Sequence, residues 1–143
     1  RPEEVRASTL TAEEGARHGV SVSGVAATIT GDPRLLKRLV GNLMQNAQRH
    51  GAPPVTAEIE SDGSTVSLRV RDHGSGIPEA ERTRIFDPFY RLEASRSRDT
   101  GGTGLGLTIA RTVIRAHGGE IVLADAPTGG LRVVVTLPTT ARS

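Results

Sequence analysis

Two asparagines one helical turn apart, Asn42 and Asn46, are followed by Arg49 and His50. Offsets of four, seven and eight residues bring all four side chains to one side of a helix. Asparagine is a mediocre helix former, so such a stacked pair costs local stability unless the amides have work to do. An amide oxygen is a hard neutral ligand suited to Mg2+, and a neighbouring Arg or His can meet phosphate oxygens. A solvated polar face has the same composition, and this segment alone leaves both readings open.

Three further groups follow along the chain. Asp72-His73-Gly74-Ser75-Gly76-Ile77-Pro78 comes directly after a strand-like run. A carboxylate at a strand end can accept a hydrogen bond from an exocyclic amine such as that of adenine, and glycines let the backbone approach a flat ligand. An ordinary Gly-Pro turn reads the same way. Phe86-Asp87-Pro88-Phe89-Tyr90-Arg91 puts every aromatic of the chain beside a cation. The aromatics can pin a flap that carries Arg91 to a phosphate, or form a small apolar cluster beneath a loop.

Gly101-Gly102-Thr103-Gly104-Leu105-Gly106-Leu107 runs straight into a helical pattern. Free amides and the positive dipole end make such a helix start an anion site. Two rival readings of these glycines fail. No Gly-Lys-Ser/Thr is present, which excludes the Walker loop. The spacing is Gly-x-Gly-x-Gly with no strand leading in, and Asp125 is the only match to a dinucleotide fingerprint.

The elements that would position these groups are legible from periodicity. A short polar helix is predicted from Pro2 to about Arg17, then strand-like runs at Val20 to Val22 and Val25 to Ile29. Asp32 as cap and Pro33 in the first turn open a helix that ends near His50, closed by Gly51 and Pro53-Pro54. Its apolar stripe is Leu36, Val40, Leu43 and Ala47. Alternation at Val55, Ala57, Ile59 and again at Val66, Leu68, Val70 around Asp62-Gly63 predicts a hairpin.

Residues 72–104 hold no long periodic pattern and are too many for an idle connection. A helix from Leu105 to His117 is predicted with Leu105, Ile109, Val113 and Ala116 on its apolar face, stopped by Gly118-Gly119. Ile121 and Leu123, a turn over Pro127 to Gly130, and Leu131, Val133, Val135, Leu137 give a last hairpin. Antiparallel hairpins interrupted by helices argue for an α/β sandwich with helices on one face of the sheet.

Composition limits the possibilities. At 143 residues with 36% hydrophobic content the chain affords one core, so residues 1–143 are read as a single domain. That core must be aliphatic, with no Trp, one Tyr and two Phe available. A net charge of +2 is not the footprint of a nucleic-acid binder. Absence of cysteine excludes disulfides, thiolate metal sites and a cysteine nucleophile. No apolar run reaches membrane-span length and no signal-peptide pattern opens the chain.

Taken in order, the four groups resemble the N, G1, F and G2 boxes of sensor histidine kinases, and the likeness covers nearly the whole chain. Asn42 to His50 resembles the N box, Asp72 to Gly76 the G1 box, Phe86 to Arg91 the F box and Gly102 to Leu107 the G2 box; His117-Gly118-Gly119 matches a common stop after the following helix. The resemblance implies the two-layer α/β sandwich of the Bergerat or GHKL superfamily, a mixed, mainly antiparallel sheet covered on one face by helices and shared with type II topoisomerases, Hsp90 and MutL.

It also implies roles. Asn46 would be the Mg2+ ligand, Asn42 a catalytic neighbour, and Arg49 and His50 would lie near the phosphates. Asp72 would bind the adenine amine, with Gly74, Gly76 and Ile77 shaping its pocket. Arg91, with Phe89 and Tyr90 beside it, and Gly102, Thr103, Gly104, Leu105, Gly106 and Leu107 would face the nucleotide. The stretch from about Asp87 to Thr103 would be an ATP lid.

Within that superfamily the hydrolysing branches resemble one another in a Glu where Asn42 stands. No carboxylate occurs between Pro33 and His50, so water activation has no agent on this helix. The expected reaction is transfer of the γ-phosphoryl group of Mg-ATP to a histidine of a dimerisation domain outside this chain, for relay to a response regulator. His18 and His117 lack the acidic residue that follows the family's acceptor, and His50 and His73 belong to nucleotide motifs. A cytoplasmic catalytic domain, monomeric in isolation within a homodimeric parent, is the corresponding expectation. The alternatives are a serine kinase of the anti-sigma-factor type and a degenerate nucleotide-binding module.

Overall fold

Alternating apolar residues become a five-stranded sheet, and the long amphipathic segments become helices laid on it. The computed structural model describes residues 3–76, 78, 80, 82, 103–127 and 129–139. Its elements run β1 (Glu3–Arg6), α1 (Ala7–His18), β2 (Ser21–Gly24), β3 (Thr28–Gly31), α2 (Pro33–His50), β4 (Thr56–Ser61), β5 (Thr65–Arg71), α3 (Thr103–Ala116), β6 (Glu120–Asp125) and β7 (Leu131–Pro138). The main sheet has the order β2-β4-β5-β7-β6. Among the described strands only β2 and β4 pair in parallel; β4–β5, β5–β7 and β6–β7 are antiparallel.

Register explains why one face is apolar. Ala57, Val70, Val133 and Leu123 form one row across four strands, and Ile59, Leu68, Val135 and Ile121 form the next. All eight are buried. Each contributes roughly 1–3 kcal/mol by leaving water, less for the alanine. The intervening row, Glu58, Arg69, Val134 and Val122, belongs to the other face. There Arg69 bridges Glu60 at 2.7 Å and Glu58 at 3.1 Å, and Val122 is exposed. A one-residue slip would exchange these two sets, so burial fixes the register.

The helices close the core. Asp32 caps α2 as its position before Pro33 predicts, its Oδ1 accepting from the backbone N–H of Arg34 at 2.9 Å and Leu35 at 3.2 Å. The Leu35 bond leads in holding the Asp32 carboxyl below its usual range, with Arg34 adding to it and desolvation opposing. Leu36, Leu39, Val40, Leu43, Met44 and Ala47 point inward. Among the described residues the core contains no aromatic side chain.

Three expectations need correction. The predicted helix from Pro2 begins instead at Ala7, because Glu3–Arg6 pairs antiparallel with β3 and buries Val5 opposite Ile29. Tertiary pairing overrides a weak local helix signal there. The early strands lie at Ser21–Gly24 and Thr28–Gly31, and Val25 between them is exposed. Among the described side chains of α3, Leu107, Ala110 and Ile114 are buried and Val113 packs partly buried against the core as expected, whereas Ile109 is 57% exposed. That segment carries more than one apolar stripe at helical spacing, and only packing against the sheet selects between them.

Candidate nucleotide-binding site

The end of α2 and the turn after β5 meet at one carboxylate. Gly51 ends α2, its N–H donating to Ala47 O at 2.9 Å. A Cβ on Gly51 would overlap the Asp72 side chain, so glycine is required by contact and not by dihedral angle. Asp72 is 5% exposed. Its N–H donates to Leu131 O at 3.0 Å, and its Oδ1 accepts from Gly74 N–H at 2.7 Å. Gly130, at φ 94°, closes the opposite side; a Cβ there would overlap the Asp72 carbonyl oxygen.

The turn is laced to the loop leaving α2. His73 N–H donates to Ala52 O at 2.9 Å, and its Nδ1 pairs with Pro54 O at 2.7 Å. A carbonyl only accepts, so Nδ1 carries the proton. Gly74 stands against Gly51, where an added Cβ would lie 3.0 Å from its Cα. Gly76 has φ 81°, a left-handed conformation that glycine adopts without strain, and an added Cβ would lie 3.8 Å from Gly130 O. The result is a rigid turn that buries one carboxylate and leaves backbone accessible beside it.

Asn46, three turns along α2, is half-buried, and its Nδ2 is buried with no hydrogen-bond partner. An unsatisfied buried amide is costly, roughly 1–3 kcal/mol. Rotated about its own axis, the same amide presents Oδ1 there, a donor suited to a hard cation. The residue therefore fits a Mg2+ ligand, although no cluster of acidic or His groups that could hold a metal exists among the described residues. Asn42 lines a groove of about 380 Å³ between α1 and α2, together with Arg38, Gln45 and the α1 residues Glu14, Arg17 and His18. Arg49 is exposed and His50 half-buried, both in the last turn of α2.

The glycine-rich segment enters α3 earlier than the periodicity implies. The helix starts at Thr103, so Gly104, Leu105, Gly106 and Leu107 belong to its first turns, and the Leu107 side chain is buried. Unpaired N–H groups at such a start form an anion site. Ile77, Phe89, Tyr90, Arg91 and Gly102, and with them all of the expected lid over 87–103 except Thr103, lie outside the described residues.

Several contributors have no signature in the sequence. Gly51 reads as a helix stop, yet its role is to make room for Asp72. Gly130, some sixty residues beyond Asp72, is a turn glycine whose contact with that residue only the fold reveals. Glu14, 2% exposed, brings a carboxylate to the groove beside Asn42 that α2 itself lacks. It rests against Gly41, where a Cβ would come within 2.6 Å of Oε1, and lies 3.5 Å from both Arg17 and His18. At that distance the attraction is electrostatic, and Oε2 makes no hydrogen bond.

Comparison with known proteins bears on the family and the fold. A family model described as histidine kinase-, DNA gyrase B- and HSP90-like ATPase matches residues 31–141. The chain is 39% identical over 113 residues to the sensor histidine kinase CpxA of Escherichia coli, covering 79% of this chain and 25% of CpxA. It is 44% identical over 107 residues to the histidine-protein kinase AfsQ2 of Streptomyces coelicolor, covering 75% of this chain and 20% of AfsQ2. The chain thus spans about a quarter of the length of the curated relatives it matches, or less. The crystal structure of the ATP-binding domain of PrrB from Mycobacterium tuberculosis superposes with a TM-score of 0.80 at 29% identity, covering 98% of each chain.

Proposed function

Given that the chain belongs to the histidine kinase-, DNA gyrase B- and HSP90-like ATPases, as the ATP-binding catalytic domain of a sensor histidine kinase, we propose that it holds Mg-ATP between α2, the turn after β5 and the start of α3. The observation that carries this reading is the buried Asp72 carboxylate, fixed by Gly74 N–H and walled by Gly51, with Gly130 against the Asp72 backbone carbonyl. A fixed, buried acceptor selects a ligand amine, and the adenine amine fits it.

Asn46 would hold Mg2+, and Asn42, Arg49 and His50 would stand along the phosphates. Gly74, Gly76 and Ile77 would form the base pocket, and Gly102 to Leu107 would offer backbone N–H groups to phosphate oxygens. Phe89, Tyr90 and Arg91 would act from a lid over about 87–103, with Arg91 meeting the terminal phosphate. The metal supplies neutralisation of phosphate charge; the protein's part is to orient the donor and exclude competing water.

The phosphoryl acceptor would be a histidine on a dimerisation domain of the parent protein, in the cytoplasm, with relay to a response regulator. The histidines of this chain support an acceptor elsewhere. His73 and His117 are engaged in hydrogen bonds to backbone, and His18 lies against Glu14. Among the described residues no helix is long and apolar enough to cross a membrane. Titration of the chain with a fluorescent ATP analogue, with and without Mg2+, tests the reading. Saturable, Mg2+-strengthened binding is expected, and its absence would overturn it.

A further inference from the structure

His117, immediately past α3, reaches across the fold to the start of α2. Its Nε2 accepts from the backbone N–H of Asp32 at 3.2 Å, and its Nδ1 lies 2.7 Å from Val113 O. Since a carbonyl cannot donate, Nδ1 carries the proton and Nε2 is left bare for Asp32. The two contacts therefore fix the ring's orientation and its tautomer. The ring packs against Gly31, where a Cβ would overlap it.

Asp32 is the cap residue of α2, and its polar groups are all committed to the joint. Its carboxylate takes Arg34 and Leu35 N–H, its carbonyl takes Leu36 N–H at 3.0 Å, and its own N–H goes to His117. On the other side, Gly119 N–H donates to Ile114 O at 2.9 Å, closing α3 around Gly118 at φ 84°. The histidine thus pins the first turn of α2 to the last turn of α3, two helices that pack against each other. Asn46 and the start of α3 at Thr103 lie towards the opposite ends, roughly 20 Å along each helix axis.

We propose that His117 is a positioning residue for nucleotide binding. By pinning one end of the helix pair it sets how the Asn42–Asn46 face and the amide-bearing start of α3 stand relative to one another, and so the grip on the triphosphate. This rests on the Mg-ATP reading above. A change of a few degrees at the pin displaces the far helix ends by about an ångström, a misplacement large enough to matter to a polar site.

Two variants separate the bonds. In His117→Gln the side-chain Oε1 can still accept from Asp32 N–H. In His117→Asn the amide can meet Val113 O but is too short for Asp32. Affinity for a non-hydrolysable ATP analogue with Mg2+, and for adenosine, would be measured at a temperature where every variant is fully folded. A loss confined to stability leaves the affinity of the folded protein unchanged. The expected result is a fall of about fivefold or more in Mg-ATP-analogue affinity for the Asn variant, near-native affinity for Gln, and adenosine affinity unaltered in both. Equal behaviour of Asn and Gln, or a parallel loss for adenosine, would overturn the proposal. Failure of the unaltered chain to bind nucleotide would instead remove the reading on which it rests, and the proposal with it.

Discussion

Gly51, the last point of the asparagine-bearing helix, lies directly against the carboxylate of Asp72, leaving no space for a Cβ between them. The helix that would hold metal and phosphates and the carboxylate that would hold the base are therefore one rigid unit. Gly51→Ala tests this coupling. The methyl must displace either the helix end or Asp72, and nucleotide affinity is expected to fall by roughly tenfold or more, the value of a hydrogen bond to a charged group. Calorimetric titration alongside a melting curve reads it; undiminished affinity would show that the contact yields freely.

Asp72→Asn changes one atom and should change base preference. Gly74 N–H requires an acceptor, so the amide oxygen stays there and the NH2 turns to the site. A donor then faces the adenine amine. ATP affinity is expected to drop about 10–100-fold while GTP affinity changes little, shown by parallel titrations. Equal losses for both nucleotides would rule out the adenine role.

Asn46→Ala should remove the Mg2+-dependent increment of ATP binding, by at least roughly tenfold, and leave metal-free binding near native. The same substitution deletes an amide that is buried without a partner, so thermal stability should hold or rise. Binding titrations with and without Mg2+, together with a melt, give both numbers.

How much of this was readable in the sequence depends on the range of the interaction. The cap at Asp32, the α2 stripe and both hairpins follow from local pattern and appear where the pattern puts them. The strand Glu3–Arg6 was not readable, since it exists only through its pairing with β3, some twenty-five residues on. The inward place expected for Ile109 on α3 fails for a related cause: Ile109 and Ile114 are equally apolar, and the sheet decides between them. At the site, Asp72 and the asparagines announce themselves by type and spacing. Gly51, Gly130 and Glu14 do not, because their contribution is a contact and not a chemistry.

The Asp32 cap predicts a pH signature. Its folded pKa is lowered by the Leu35 and Arg34 N–H bonds, so its contribution is fully present above its unfolded value, near 4, and is lost as pH falls through the folded value. Asp32→Ala should melt several degrees below the native chain at pH 7, roughly 3–6 °C, with the gap closing below about pH 4. A gap independent of pH would mean that the carboxylate's charge is not what stabilises the helix.

Ile114→Ala probes the seam between α3 and the sheet. The side chain is fully buried, and its truncation should cost about 2–5 kcal/mol in chemical denaturation. A cost below about 1 kcal/mol would indicate that the core collapses into the space.

The aliphatic core has an optical consequence. Phe86, Phe89 and Tyr90 are the chain's entire complement of aromatic residues, and tryptophan is absent. Tyrosine emission from the unlabelled protein therefore comes from a single ring, in the stretch where the nucleotide cover is expected. Intrinsic tyrosine fluorescence can thus follow events at that one place without background from a second tyrosine or a tryptophan.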